Sequence, residues 1–148
     1  MKNMLINLFM DLVKIDSVTT NEEKFSRYLL KSLNNLGVKS VLDKYRNIYG
    51  YLKGTGKPLF LSAHMDTVEP GKNIQPQVRG NYIVSDGTTI LGADNKATIA
   101  CILKVLELLK IKKNKHRTLE VIFTRSEEVG NYGAVNFDYS LLTAKEGY

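Results

Sequence analysis

Residues 59–66 read Leu59-Phe60-Leu61-Ser62-Ala63-His64-Met65-Asp66, an apolar run that ends in a histidine and an aspartate. A continuous apolar run of this length is typical of a strand that is buried on both faces. Because His64 and Asp66 are two residues apart, a strand would point both side chains to one face. Open α/β sheets bind ligands in the crevice beyond the carboxyl ends of their strands. We therefore predict a buried strand over residues 59–63, with two candidate functional side chains at its end.

Two further segments combine an apolar element with acidic residues at one end. Asp94 precedes residues 95–110, whose leucines and isoleucines recur at helical spacing and predict a long helix. Residues 119–124 form a mostly apolar run of strand length, and Glu127 and Glu128 follow it. A strand, a helix and a strand in this order predict an α/β sandwich.

The rest of the sequence predicts smaller elements around this core. Apolar residues at helical spacing predict a helix over residues 3–15. A second helix is expected to begin at Thr20, because Thr20 and Glu23 form a capping-box pattern, and to stop at Gly37. Strand and hairpin patterns occupy residues 38–42, 48–53, 78–79 and 82–84.

The composition is that of a globular domain and argues against a membrane-spanning or disulfide-bonded protein. The 148 residues are 43% hydrophobic and 24% charged, which is ordinary for such a domain. No apolar run approaches the ~20 residues needed to span a bilayer. Asn7 and Asp11 interrupt the N-terminal apolar stretch, so we expect neither a signal peptide nor a membrane partner. The single cysteine, Cys101, excludes an intramolecular disulfide and fits a reducing, cytoplasmic location.

The net charge of +6 raises the question of nucleic-acid binding. The densest basic run, residues 110–117, follows the predicted long helix, where cations favour the negative end of the helix dipole. Such runs usually face solvent, and no aromatic residues are interleaved here to stack on bases. We therefore expect no nucleic-acid partner.

Each candidate functional residue has a plain structural explanation when it is taken alone. His64 and Asp66 suit a strand end followed by a turn, and Asp94 suits a helix N-cap. Glu127 and Glu128 suit a solvated acidic turn. Together, however, three segments present the ligand types that suit zinc. An aspartate can bridge two metal ions about 3.5–4 Å apart, and of two adjacent glutamates one can bind metal while the other moves a proton.

Three motifs carry a resemblance to a known family. In chain order they are His64-Met65-Asp66-Thr67-Val68, Ser85-Asp86-Gly87-Thr88-Thr89-Ile90-Leu91-Gly92-Ala93-Asp94-Asn95-Lys96-Ala97 and Phe123-Thr124-Arg125-Ser126-Glu127-Glu128-Val129-Gly130. They resemble motifs of the co-catalytic zinc peptidase and deacylase family, which includes tripeptidase (peptidase T), glutamate carboxypeptidase and acetylornithine deacetylase. The resemblance covers nearly the whole chain and is greatest to the peptidase T-like branch.

This resemblance implies a fold, a cofactor and a role for each site residue. The implied fold is α/β, a three-layer sandwich with a mixed, mostly parallel sheet of the phosphorylase/hydrolase-like type. His64 would bind one zinc and Asp66 would orient it. Asp94 would bridge both zincs, and Glu128 would bind the second one. Glu127 would be the general base of a metallopeptidase that hydrolyses short peptides through a water activated by two zincs.

The resemblance also implies that residues 1–148 are the N-terminal part of a zinc peptidase catalytic domain. Family members are longer and supply a later aspartate ligand, a histidine ligand near the C-terminus and a lid or dimerisation domain. The residues present would give each zinc about two protein ligands, against three or more at a catalytic zinc. We therefore expect little or no activity from this chain alone.

Other functions stay open at this point. An N-acyl amino acid deacylase or a carboxypeptidase of the same family fits the same motifs. A non-catalytic fragment that binds metal, or that self-associates through an unfinished sheet edge, is the alternative from another class.

Overall fold

A computed structural model describes residues 2–113 and 115–148. Its helices and strands follow in chain order as α1 (Lys2–Val13), α2 (Glu23–Asn35), β1 (Lys39–Leu42), β2 (Ile48–Leu52), β3 (Leu59–His64), β4 (Gln77–Arg79), β5 (Tyr82–Val84), α3 (Ala93–Lys112), β6 (Leu119–Thr124) and α4 (Tyr132–Val135), with a 3₁₀ turn over Tyr139–Leu141. The predicted helices, strands and hairpin are all present, with ends that differ by up to three residues. Within the described residues, none of the helices is long and apolar enough to cross a bilayer.

The central strand of the sheet is β6, which is buried along its whole length. It pairs in parallel with β3, with Leu59 opposite Leu119 and His64 opposite Thr124. On its other side β6 pairs antiparallel with β2, and β2 pairs antiparallel with β1, so the strand order is β1-β2-β6-β3.

The α/β class is confirmed, but the expectation of a mostly parallel sheet is wrong for these residues. Two of the three pairings in the four-stranded sheet, β1 with β2 and β2 with β6, are antiparallel. The tight turn between β1 and β2 forces them to run in opposite directions, because a parallel pair needs a long crossover. Only β3 and β6 are joined by such a crossover, through α3.

Helices α1, α2 and α3 share one apolar core with one face of the sheet. Leu12 and Val13 of α1, Leu29 of α2 and Ile99 of α3 are all buried there, together with Val121 of β6. The irregular chain after α4 covers the other face. There, Phe137 packs on Tyr49 and the backbone of residues 143–144 binds Glu120. The second helical layer of a three-layer sandwich stays a prediction.

The predicted capping box at Thr20 and Glu23 is wrong. Thr20 has a left-handed φ of 72°, and α2 begins only at Glu23, with no side-chain cap bond from Glu22. The polar side chains before α2 bind the loops at the end of the sheet instead, as described below.

The lysines of the basic run at residues 110–117 face solvent where the structure describes them, while His116 and Arg117 are half-buried. Lys110, Lys112 and Lys113 are exposed at the end of α3, while Asn114 lies outside the described residues. Arg117 turns back to the protein and donates hydrogen bonds to the carbonyl oxygens of Lys57 and Pro58.

Candidate active site

The candidate site lies where β3 and β6 end side by side. Because the two strands are parallel and in register, the chain leaves both at the same edge of the sheet. The backbone N–H of Met65, just after β3, donates to the carbonyl of Thr124 at the end of β6. The first turn of α3 reaches the same edge. The five predicted side chains, His64, Asp66, Asp94, Glu127 and Glu128, therefore converge, although up to 64 positions separate them in the numbering.

His64 is the centre of the group and is only 7% exposed. Its Nδ1 lies 2.9 Å from the backbone carbonyl oxygen of Asp66, and its Nε2 lies 2.9 Å from Asp94 Oδ1. Glu127 Oε2 is 3.9 Å from Nε2. Burial lowers the pKa of His64, but hydrogen bonds and charge from Asp66 and Asp94 outweigh burial and raise that pKa to about 9. The imidazole is thus surrounded by carboxylates that attract a cation.

Asp66 is fully buried and ties the two strand ends together. Its Oδ1 accepts the backbone N–H of Glu127 at 2.9 Å, and its Oδ2 accepts that of Glu128 at 3.2 Å. The hydroxyl of Thr19 also donates to Oδ2, at 2.9 Å. Burial raises the pKa of Asp66, but these bonds and His64 outweigh burial and lower that pKa to about 2. Asp66 is therefore an ionised acceptor that fixes both His64 and the loop that carries Glu127 and Glu128, called the glutamate loop below.

Asp94 is presented by an irregular first turn of α3. Gly92, with a φ of 69°, stands at the N-cap position, where a Cβ would lie 3.1 Å from Ile74 Cδ1. Asp94 itself has non-helical backbone angles (φ −85°, ψ 107°), and no side chain caps the helix. The carboxylate of Asp94 is instead 82% exposed and contacts His64. The simple N-cap explanation of this residue is thus not the one that the structure supports.

Glu127 and Glu128 follow Ser126, whose left-handed φ of 51° turns the chain sharply after β6. His64, Asp94 and Glu128 each place one ligand-type atom within 4.8 Å of the others. Desolvation raises the pKa of Glu128, and the charges of Glu127, Asp94 and Asp66 raise it further against the opposing effect of His64. A bound cation would relieve this repulsion, and one imidazole with two carboxylates is a donor set that fits zinc. The residues present therefore suit the implied metal.

Sequence reasoning missed the polar residues that support the site. Ser17, Thr19 and Glu22 precede α2 and form hydrogen bonds with Met65, Asp66 and Ser126, which lie among or beside the predicted residues after β3 and β6. Asn47 is also fully buried, donates to the carbonyl of Gly133 and accepts the N–H of Arg125. In the sequence, the only indication of this role is the cluster of small polar residues before α2. That cluster also fits a capping box, which is the interpretation that the sequence pattern favours.

Comparison with known proteins places this geometry in a family. The model of peptidase family M20/M25/M40 matches residues 60–146. Peptidase T of Listeria monocytogenes serotype 4b is 30% identical over 198 aligned residues, which cover 100% of this chain and 48% of that protein.

Two solved structures are similar over the whole chain. Aminopeptidase PepT from Bacillus cereus is 40% identical with a TM-score of 0.97, and this chain covers 43% of it. A tripeptidase from Staphylococcus aureus is 37% identical with a TM-score of 0.98, again with 43% of its length covered. The chain thus spans less than half the length of each of these three relatives.

Proposed function

The chain belongs to peptidase family M20/M25/M40, and from that premise we propose that it forms the metal-binding part of a hydrolase that cleaves short peptides. The observation that carries the proposal is the convergence of His64, Asp94 and Glu128 within 4.8 Å. His64 ends β3, Asp94 stands in the first turn of α3 and Glu128 lies in the loop after β6. Apolar packing does not explain why three titratable groups from separate parts of the chain meet at one point. Metal binding does explain it.

The geometry supports a distinct part for each ligand. His64 Nε2 would hold one zinc and Glu128 the other, with Asp94 between them, because its exposed carboxylate is the group closest to His64 Nε2. Bound zinc would supply Lewis acidity, which polarises the scissile carbonyl and makes a water easier to deprotonate.

Glu127 is the group that would move the proton. Its side chain is 36% exposed, so water and substrate can reach it, while its backbone is held by Asp66. A carboxylate in this position can accept a proton from the attacking water and deliver it to the leaving nitrogen. Asp66 would take no part in proton transfer. It holds the His64 ring through its carbonyl and orients the loop that carries Glu127.

A second part of the proposal concerns how many of the metal ligands residues 1–148 supply. We infer that residues 1–148 form the N-terminal part of a catalytic domain, with further ligands to come from residues outside it. Support comes from the three ligand-type side chains found in the described residues and from relatives of which this chain covers less than half. Weak or no peptide hydrolysis is the expected behaviour of these residues alone.

The peptidase T-like assignment is favoured over the other functions of the family. The relatives at 37% and 40% identity are described as a tripeptidase and an aminopeptidase. Deacylase and carboxypeptidase action stay open alternatives. A cytoplasmic location and the lack of nucleic-acid and membrane partners stay predictions.

Self-association also stays a prediction. The outer edge of β3 is partly covered, because Phe60 and Ser62 donate backbone hydrogen bonds to the carbonyls of Glu146 and Tyr148.

The test is a zinc titration by calorimetry with two variants. Asp94→Asn keeps the shape of the side chain but removes the charge, and it should weaken zinc binding at least about tenfold. Asp86→Asn is the matched control, since Asp86 is an exposed carboxylate in the loop before α3, where its Oδ1 accepts hydrogen bonds from the N–H and the hydroxyl of Thr88. Equal zinc affinity in the parent and Asp94→Asn would contradict the proposed metal site. Two tight sites together with tripeptide hydrolysis by the parent would contradict its incompleteness.

A further inference from the structure

The segment between α1 and α2, residues 15–22, contacts the three parts of the chain that form the candidate site, namely the residues after β3, the first turn of α3 and the turn after β6. The carbonyl of Ile15 accepts a hydrogen bond from Lys96 Nζ at 2.6 Å, which ties this segment to the first turn of α3. The Ser17 hydroxyl donates to the carbonyl of Met65 at 2.8 Å. The N–H of Thr67 donates to the carbonyl of Ser17 at 3.0 Å, so the segment runs beside the chain that follows His64.

Thr19 extends these contacts to a side chain of the site. Its hydroxyl donates to Asp66 Oδ2, the same oxygen that accepts the N–H of Glu128. Since Asp66 is fully buried, its carboxylate can keep this orientation only if protein groups satisfy both oxygens. Thr19 is one of the three donors that do so.

Glu22 makes the contact that we consider most informative. It is a carboxylate only 4% exposed, and its Oε1 accepts both the N–H and the hydroxyl of Ser126, at 3.0 and 3.1 Å. Arg125 lies 3.5 Å from its other oxygen. Ser126 has the left-handed φ of 51°, a conformation that a non-glycine residue keeps only where its surroundings hold it. Glu22 holds the N–H and the hydroxyl of Ser126, while the N–H of Tyr132 donates to the Ser126 carbonyl at 3.1 Å.

The consequence lies in the two residues that follow. The turn at Ser126 directs the N–H groups of Glu127 and Glu128 to Asp66. It also brings Glu127 to 3.9 Å from His64. If Ser126 relaxed to an ordinary φ, both glutamates would move away from His64 and Asp94.

We propose that Glu22 is a positioning residue of this site, which holds the turn at Ser126. Thr19 is a second positioning residue, which holds the carboxylate of Asp66. Glu22 acts through Ser126 and touches neither metal nor substrate. The inference deepens the proposed function and depends on it for its meaning, while the structural claim on the glutamate loop can be tested separately.

The test uses the 148-residue chain with three variants. Glu22→Ala removes the acceptor, and Glu22→Gln keeps an acceptor oxygen for Ser126. Glu23→Ala is the matched control, because the neighbouring Glu23 is half exposed and pairs only with Arg46 on the surface. Two quantities are measured for each: hydrogen exchange at the amides of Glu127 and Glu128, and affinity for zinc.

We expect Glu22→Ala to increase the rate of hydrogen exchange at the amides of Glu127 and Glu128. This increase, relative to the parent, should be larger than the increase at the core amides of β6. We also expect Glu22→Ala to weaken zinc binding about tenfold, as loss of a group that orients metal ligands does. Glu22→Gln should restore zinc affinity to within about threefold of the parent. Glu23→Ala should leave both quantities unchanged. If Glu22→Ala does not fold, Thr19→Val removes the hydroxyl that binds Asp66 and Thr19→Ser keeps it. Hydrogen exchange at the amide of Glu128 is then the measured quantity.

Two outcomes would overturn the inference. One is exchange at Glu127 and Glu128 that rises no more than at the β6 core, which would mean that Glu22 contributes only to global stability. The other is unchanged zinc affinity in Glu22→Ala while Asp94→Asn loses it. Absence of zinc binding in the parent would count against the proposed metal function, and the amide exchange would then decide the positioning claim by itself.

Discussion

At the scale of single residues, buried carboxylates that accept several hydrogen bonds fix the backbone around the candidate site. Asp66 accepts three hydrogen bonds at the site, and Glu22 accepts two from Ser126. Neither carboxylate is a candidate metal ligand. Their role follows from burial, since a buried charge that is stripped of water must be satisfied by protein donors.

Glu120 is a third buried carboxylate and gives a prediction on stability and pH. It is fully buried in β6 and accepts the N–H groups of Thr143 and Ala144 and the hydroxyls of Thr143 and Tyr49. Burial raises the pKa of Glu120, but these hydrogen bonds outweigh burial and lower the pKa from 4.5. The ionised form therefore stabilises the fold above pH 4.5, and that contribution is lost as the pH falls through the lower pKa of the folded state.

We expect Glu120→Gln to lower the free energy of unfolding by about 2 kcal/mol at pH 7, because one oxygen that accepts backbone N–H groups becomes a donor. The difference from the parent should shrink as the pH falls through the lowered pKa of folded Glu120, where the parent's carboxylate also becomes protonated. Urea unfolding between pH 3 and pH 7 measures it. Glu146→Gln, which alters an exposed pair with Arg117, should change stability by less than about 1 kcal/mol. A pH-independent loss in Glu120→Gln would contradict this account.

At the scale of elements, the short helix α4 closes the loop that follows β6. Gly133 lies against the strand end so tightly that a Cβ would stand 2.3 Å from the carbonyl oxygen of Arg125 and 2.4 Å from Asn47 Oδ1. Its own N–H donates to the same carbonyl of Arg125. The close approach therefore packs α4 against Asn47, just before β2, and against Arg125, just after β6.

We predict that Gly133→Ala lowers the free energy of unfolding by about 1–3 kcal/mol, because the added methyl group forces backbone atoms apart. Thermal unfolding provides the measurement. The control is Val135→Ala in the same helix, where the side chain is 73% exposed and a change within about 0.5 kcal/mol is expected. Equal stability of Gly133→Ala and the parent would mean that α4 is not packed as described.

The main elements could be predicted from the sequence because their apolar patterns are strong. The buried run at residues 59–63, the long helix α3 and the strand β6 all appear where periodicity indicated them. The start of α2 could not be predicted, because the local pattern of Thr20 and Glu23 competes with distant contacts of Thr19 and Glu22. The antiparallel pairing of β2 with β6 could not be predicted either. It depends on which strands become neighbours in the sheet, and the apolar pattern of a strand does not indicate its neighbour.

At the scale of the whole molecule, the candidate site exists only through the fold. His64, Asp94 and Glu128 come from the end of β3, the first turn of α3 and the loop after β6, and the β3–α3–β6 crossover brings them together at one edge of the sheet. Their residue types and order in the chain could be read from the sequence, and so could the family resemblance. The supporting segment before α2 could not, because its hydrogen bonds reach across as many as 104 positions in the numbering, from Glu22 to Ser126.

The position of zinc in a crystal of the chain grown with that metal, located by anomalous scattering at the zinc edge, bears on the whole account. We predict a zinc peak about 2.0–2.2 Å from His64 Nε2 and from a carboxylate oxygen of Asp94, with Glu128 facing the same cluster. Zinc bound elsewhere, for example only at His116, or a crystal whose His64 and Asp94 stay paired with each other at saturating zinc, would contradict the assignment of a metal site to these residues.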